Sequence, residues 1–390
     1  MPGITAYLAS AIIAGDQLEL ISNAALNINA GRILSIGEAH PAADRVDLGN
    51  VLLMPGFINA HTHLGDTGAK ELGAGLPLEQ VINPPHGLKH RYIAGLSPEE
   101  HIQQMRHGLR EMITNGIFAC ADFREQGLSG VQALYQAADG LPIRVIALGR
   151  MAEGLPPQEL LNEAQAILEA ADGLGIRDVT SYPLNVLETL REEFPQKLFA
   201  IHAAENTQAD IQCRESFGVG QAIRALAFSP DILVHLTNTP EAEIEILFHR
   251  NIGAVCCPRT NAILGDGIPA VNIWQRYGLR FGIGTDNLML SSPDMFREMD
   301  ALSRMLNASA KMPAVLEPRK ILAAATIEGA RLIKLDHDLG SLLPGKEASF
   351  LVLDLNSPNL KYSHDLISSV VHRASSADIR QIFIKGVQVQ

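Results

Sequence analysis

The spacing of apolar and polar positions divides the chain into three stretches of two kinds. From Ile12 to about Leu53 the pattern is short and strand-like: LELISNAALNINAGRILSIG alternates apolar with polar residues, with turn signals at 29–31 and at Asn50. The last stretch is similar. After Pro344 and Gly345 come ASFLVLDL and then IRQIFIKGVQVQ, short strands parted by polar turns. The pattern predicts one small β-sandwich domain built from both termini, residues 1–54 and 344–390, with a separate strand pair at each end as the alternative.

Residues 55–343 read differently. SPEEHIQQMRHGLREMITNG carries a serine cap at Ser97, Pro98 at the first helical position, Glu100 three residues after the cap and a closing Gly116, which predicts a helix over 98–115. IFACADF follows as a short buried strand. The unit recurs as PPQELLNEAQAILEAADG before IRDVTSY, NVLETLREEFPQ before KLFAIHAA, PEAEIEILFHRN before IGAVCCP and VNIWQRYG before LRFGIGTD. Repeated units of this kind demand a parallel sheet. Neither a full GxGxxG nor a GxxxxGK[ST] occurs, so nucleotide-binding doubly wound folds lose their main support. The expected architecture is α/β, a distorted (β/α)₈ TIM barrel over 55–343 flanked by the small β domain.

Composition narrows the function classes. With 390 residues, 47% of them hydrophobic and 19% charged, the chain can bury a large core. Its formal net charge of −12 has the wrong sign for a protein that depends on phosphate contacts, so neither nucleic acid nor an anionic membrane is an expected partner. The four cysteines make no disulfide framework, and the adjacent Cys256 and Cys257 lack CxxC spacing. No basic residue precedes the first apolar stretch, and no segment approaches the roughly 20 apolar residues of a bilayer span. A soluble cytoplasmic protein is expected. The 13 histidines are the unusual feature, since histidine is the side chain most often recruited as a metal ligand.

Their positions matter more than their number. Apolar strands end in polar residues: His61 and His63 in NAHTH, Asp122 and Arg124 after IFACA, His202 after LFAI, His235 after ILV, Arg259 and Asn261 after AVCCP, Asp286 after FGIGT. In a barrel the strand C-termini converge on one face, where active sites of this architecture lie. Side chains alternate along an extended segment, so His-x-His places both imidazoles on one side, close enough to share a cation. In HAAE, His202 could add a third nitrogen, and the offset lets Glu205 reach a bound water without ligating. Gly282 and Gly284 allow close backbone approach just before Asp286. Each has a plainer reading: exposed histidines, a strand cap, a histidine bonded to a backbone carbonyl, a helix cap. Jointly those readings weaken, because several unpaired ionisable groups at one apolar barrel end would each cost about several kcal/mol in desolvation.

PGFINAHTHL, HAAE, VHLTN, CPRTN, GIGTDN and the late PGKEASFLVLDL together resemble the amidohydrolase superfamily. The resemblance is to its branch of mononuclear-metal aminohydrolases, which includes guanine, adenosine-type and cytosine deaminases and the triazine hydrolases. It covers nearly the whole chain, in order. The resemblance implies one divalent metal ion, Zn2+ with Fe2+ as the alternative, held by His61, His63, His202 and Asp286. It implies Glu205 as proton shuttle, His235 as the residue that orients water or polarises substrate, Asp286 also holding the attacking water, and a homodimer. The implied activity on a small-molecule substrate is removal of an amino group from an aromatic N-heterocycle of nucleobase, nucleoside, pterin or triazine type, with release of ammonia. Opening of a cyclic or linear amide, as in imidazolonepropionase relatives, and a non-catalytic barrel serving as an assembly module are the alternatives.

Subtype signals are also present. No lysine lies between Lys89 and Lys197, so the fourth strand, read as IRDVTSY, cannot supply the carboxylated lysine of binuclear relatives. A bridge from Glu153 is a remote substitute. The HxE and PCxxC signature of the cytidine deaminase fold is missing. The segment after His63 does not follow the arginine- and tryptophan-containing pattern of the adenosylhomocysteine deaminase group. Asp122, Arg124, Arg259 and Asn261 are candidate substrate contacts, with rim salt bridges as the plain reading. Lys89, His90 and Arg91 read as a solvated basic run, and His86 and His90 are left unassigned.

Overall fold

The computed structural model describes residues 3–82 and 86–390. Five strands open the chain: β1 (Thr5–Ala14), β2 (Glu19–Asn29), β3 (Arg32–Gly37), β4 (Asp44–Asp47) and β5 (Val51–Pro55). Then come β6 (Phe57–His63), β7 (Ile117–Arg124), β8 (Arg144–Gly149), β9 (Gly173–Ile176), β10 (Leu198–Ala203), β11 (Ile232–His235), β12 (Gly253–Cys256), β13 (Phe281–Ile283) and β14 (Asp286–Asn287). After a further run of helices, β15 (Phe350–Asp354), β16 (Ile379–Ile384) and β17 (Val387–Gln388) end the chain.

Both termini share one mostly antiparallel sheet in the order β17-β16-β15-β5-β1-β2-β3, with β4 pairing β1. The β5–β15 pairing, from Val51–Asp354 to Pro55–Phe350, stitches the two ends together. The sheet curls around its own core. Tyr7 of β1 packs edge-on against Phe350 and Phe383, with ring centroids 5.7 and 5.0 Å apart. Ile33 N–H donates to the Lys346 carbonyl at 3.0 Å, closing the far edge. Of the C-terminal segment, the helix Leu366–His372 packs on barrel helices rather than in this sheet.

The central sheet is parallel, in the order β13-β12-β11-β10-β9-β8-β7-β6-β14. Its two ends belong to one interrupted strand. Phe281–Ile283 pairs with β12, and after two intervening residues Asp286 and Asn287 pair with Thr62 and His63 of β6. Eight strand positions therefore close into a barrel. The helix Pro98–Thr114 begins in a capping box, Ser97 N–H to Glu100 at 2.9 Å and Glu100 N–H to Ser97 Oγ at 3.3 Å, and buries His101, Met105, Leu109 and Met112 along one face. One strand assignment needs correction. The fourth barrel strand is GLGI, Gly173–Ile176; IRDVTSY begins at its last residue and continues as loop. It is glycine-rich because β9 is squeezed: a Cβ on Gly173 would lie 1.9 Å from the Leu198 carbonyl oxygen.

Inward positions alternate. Ile58 and Ala60, Ala119, Ala121 and Phe123, and Leu198 and Ala200 fill the lumen, whereas Ile117, Phe118 and Cys120 pack outward under the helices. The register between β6 and β7 slips between Asn59 and Thr62, and this irregularity turns His61 and His63 inward at the top of β6. Gly284 makes room for them, since a Cβ there would lie 2.7 Å from the His61 carbonyl oxygen and 2.8 Å from the His61 Cβ. Gly284→Ala is therefore expected to destabilise the chain by about 1–3 kcal/mol, as overpacking does. Urea unfolding would measure this, and a midpoint unchanged from wild type would contradict it.

Candidate active site

The carboxyl ends of the strands open into a cavity of about 600 Å³ whose wall includes His63, His202, Glu205, Asp286, Lys89 and Arg150. At its floor the donor atoms converge. His61 Nε2 lies 3.3 Å from His202 Nε2 and 3.3 Å from Asp286 Oδ1, and His63 Nε2 lies 3.5 Å from the same carboxylate oxygen. Phe123 seats the rings from below, its centroid 4.5 Å from His61, 4.7 Å from His202 and 5.8 Å from His63. Backbone strain aims two of the site's side chains. His235 (φ 77°) and Asp286 (φ 58°) occupy the left-handed region, and this turns each off the strand alternation.

The outer nitrogens are fixed by neighbours. His202 Nδ1 faces the Arg177 carbonyl at 3.0 Å and His63 Nδ1 faces Glu125 Oε1 at 3.1 Å, so each donates there and leaves its Nε2 lone pair free. Burial pushes His63 down to about 3, aided by the Lys89 charge, and burial likewise pushes His61 and His202 below the ordinary imidazole value. Burial opposes ionisation of Asp286, but the hydrogen bond from His61 and the pull of His61, His235 and His63 outweigh it and hold the carboxyl well below its usual range. Three neutral imidazoles and one carboxylate thus crowd the floor of the cavity.

The spacing tests whether a cation fits. Tetrahedral bonds of about 2.0–2.1 Å place donor atoms about 3.3–3.4 Å apart; three separations in this cluster, 3.3, 3.3 and 3.5 Å, come near that value, and among the described residues the triples whose donors all lie within 4.8 Å of one another are His61–His202–His235, His61–Cys257–Asp286 and Glu205–His235–Asp286. The donor set suits one divalent cation. Glu153 lies elsewhere, 3.1 Å from Arg177 NH1.

Glu205 and His235 stand beside the cluster. Their carboxylate and Nε2 are 3.6 Å apart, and His235 Nε2 has no hydrogen-bond partner among the described residues. His235 Nδ1 is held by Asn261 Oδ1 at 3.1 Å. Burial raises Glu205 against the pull of His235, and the Asp286 charge raises it further. A carboxyl with raised affinity for protons, next to the cation-binding cluster, is equipped to carry them.

Asp122 and Arg124 do not line the cavity. They point outward from β7, the Arg124 guanidinium 3.3 Å from Asp122 and 3.0 Å from the Met105 sulfur, and Asp122 accepts from Leu64 N–H at 2.5 Å. Together they brace the turn that follows His63. Arg259 is bound to Glu298 at 3.4 Å and to the Ser292 carbonyl at 3.1 Å, also outside the cavity wall. Asn261 reaches the site through His235.

Lys89 corrects the solvated reading of its basic run. It is 2% exposed, with Nζ 2.5 Å from Glu125 and 3.6 Å from Asp66. His90 is tied by Nε2 to the Ile82 carbonyl at 2.9 Å, and Arg91 NH1 donates to the His86 carbonyl at 2.7 Å. Alternation could have signalled Phe123 and the outward pair, but no local pattern marks Lys89 or Glu125 as buried.

Buried histidines should make the metal-free chain sensitive to acid. Burial holds His63 at about 3 and His101 at about 4, against 6.5 when unfolded. Between pH 6.5 and those values the unfolded chain binds the extra protons, so each of the two lowers stability with falling pH by up to about 1.4 kcal/mol per unit, whereas Asp66 and Asp122 at about 6, Asp266 at about 7 and Glu298 at about 8 bind protons in the folded chain and work the other way. Urea unfolding of chelator-treated wild type and His101→Gln at pH 7, 6 and 5 would isolate one group: the wild type should lose ground to the variant as pH falls, and a difference that stays constant would refute it.

The amidohydrolase family profile matches residues 52–389. A putative aminohydrolase of Methanothermobacter thermautotrophicus is 31% identical over 359 residues, covering 90% of each chain. A 5-methylthioadenosine/S-adenosylhomocysteine deaminase of Pelotomaculum thermopropionicum is 26% identical, covering 95% of this chain and 87% of that one. Among solved structures, an adenosine deaminase from Xanthomonas campestris with bound zinc superposes with a TM-score of 0.86 at 22% identity, covering 98% of this chain and 92% of that one. No helix among the described residues is long and apolar enough to cross a membrane. The match across barrel and terminal sheet alike makes this chain a member of the amidohydrolase family.

Proposed function

We propose that the protein is a zinc-dependent aminohydrolase that removes an amino group from an aromatic N-heterocycle and releases ammonia. The observation that carries this reading is the gathering of His61 with His202 and Asp286 at donor separations of 3.3 Å, and of His63 at 3.5 Å from Asp286, beside the Glu205–His235 pair. Bound zinc supplies a Lewis acid that brings the pKa of water from 15.7 to about 7. Neutral imidazoles with one carboxylate suit zinc, and the adenosine deaminase with the same fold holds zinc.

The chain's own groups carry the rest. Asp286 accepts a hydrogen bond from the attacking water and orients it. Glu205, raised by burial, takes a proton from that water and passes it to the ring nitrogen, then carries the remaining hydroxyl proton to the departing amine, which leaves as ammonia. His235, held by Asn261, keeps its Nε2 edge toward the reacting carbon and polarises the bond being attacked. The relatives named as 5-methylthioadenosine/S-adenosylhomocysteine deaminase and putative aminohydrolase support deamination over amide opening. Ammonia release is expected from zinc-loaded protein on at least one of a panel of purines, nucleosides, pterins and triazines. Turnover confined to a parallel panel of cyclic amides would overturn the reading.

A further inference from the structure

Lys89 is the one lysine buried against the cluster, and the activity just described does not use it. It lies on the short helix Leu88–Ala94, outside the barrel strands. Its ammonium sits between two carboxylates, 2.5 Å from Glu125 and 3.6 Å from Asp66. Each carboxylate leads to a different side of the donor cluster. Glu125 accepts from His63 Nδ1 at 3.1 Å. Asp66 accepts from Asn287 Nδ2 at 2.7 Å and from Met289 N–H at 3.1 Å, gripping the strand that presents Asp286.

We propose that Lys89 is a positioning residue for the cation site: by bridging Glu125 and Asp66 it locks the His63 ring and the Asp286–Asn287 strand into ligating geometry. The inference rests on the metal-binding part of the functional reading. Arg124 already holds the other oxygen of Glu125 and also pairs with Asp122, so without Lys89 the Glu125 oxygen that faces His63 and the carboxylate of Asp66 would both lose their shared cation. Nothing would then fix the Glu125 oxygen against the His63 ring or tie it to Asp66. Partners of this kind, one bond beyond the metal ligands, typically change metal affinity by about 10–100-fold.

The test uses the full chain stripped with chelator and titrated with Zn2+ against a chromogenic chelator, and with Co2+ to read the visible bands of the bound ion. Lys89→Met is expected to weaken zinc binding by about 10–100-fold and to shift the cobalt bands, with Lys89→Arg restoring most of both. A folded Lys89→Met protein with wild-type affinity and unchanged bands would overturn the proposal. Should Lys89→Met fail to fold, Glu125→Gln carries the same expectation, and wild-type affinity there overturns it equally. Failure of the functional reading looks different: wild-type protein that binds zinc but releases no ammonia leaves the role of Lys89 to be read from affinity alone.

Discussion

Glu205→Gln should lower kcat by about 10²–10⁴-fold while leaving one equivalent of metal bound. Glutamine keeps the shape and can still donate a hydrogen bond toward His235, 3.6 Å away, but it cannot take up and return a proton. The donor cluster does not include the Glu205 carboxylate in the proposed ligand set, so metal content should not follow activity. Burial raises Glu205 because the carboxylate loses water, and this strengthens its hold on a proton. The check pairs metal analysis with steady-state rates on whichever heterocycle releases ammonia. A Glu205→Gln enzyme within tenfold of wild type would remove Glu205 from proton transfer and leave His235 as the carrier.

What the sequence made legible follows from period. A two-residue alternation at both ends and helix-then-strand units between them were enough to expect a barrel and a sheet shared by the termini, and the β5–β15 pairing is that junction. Strand-end histidines were legible for the same reason: His202 stays in phase with Leu198 and Ala200, which face the lumen. Other placements escape because they break phase or depend on distant packing. Asp122 and Arg124 end an apolar strand as His202 does, yet they share the outward phase of Cys120, while Phe123 takes the inward place. His235 and Asp286 reach the site only through left-handed backbone at their strand ends, which no local pattern announces. Lys89 looks like surface beside His90 and Arg91, and only the two carboxylates that meet it in space make its burial tolerable.

Removing one imidazole should separate function from stability. His202→Ala is expected to weaken zinc binding by about a hundredfold or more, since roughly 10–16 kcal/mol shared among four ligands is about 3 kcal/mol each. Activity should fall with it. Stability of the metal-free chain should behave differently. In the wild type, His202 keeps a polar ring out of water, its Nε2 3.3 Å from that of His61, and burial disfavours its charged form, so without a cation the desolvation of this ring is a liability. Truncation removes that liability, and it also loses one hydrogen bond to the Arg177 carbonyl. These contributions nearly offset, so chelator-treated His202→Ala should unfold within about 1 kcal/mol of wild type. Added zinc should then raise the wild-type midpoint through mass action and leave the variant nearly where it was. A variant that unfolds several kcal/mol sooner without metal, and gains as much from zinc as wild type, would make His202 a packing residue; a large zinc-dependent gain confined to wild type is the behaviour of a ligand.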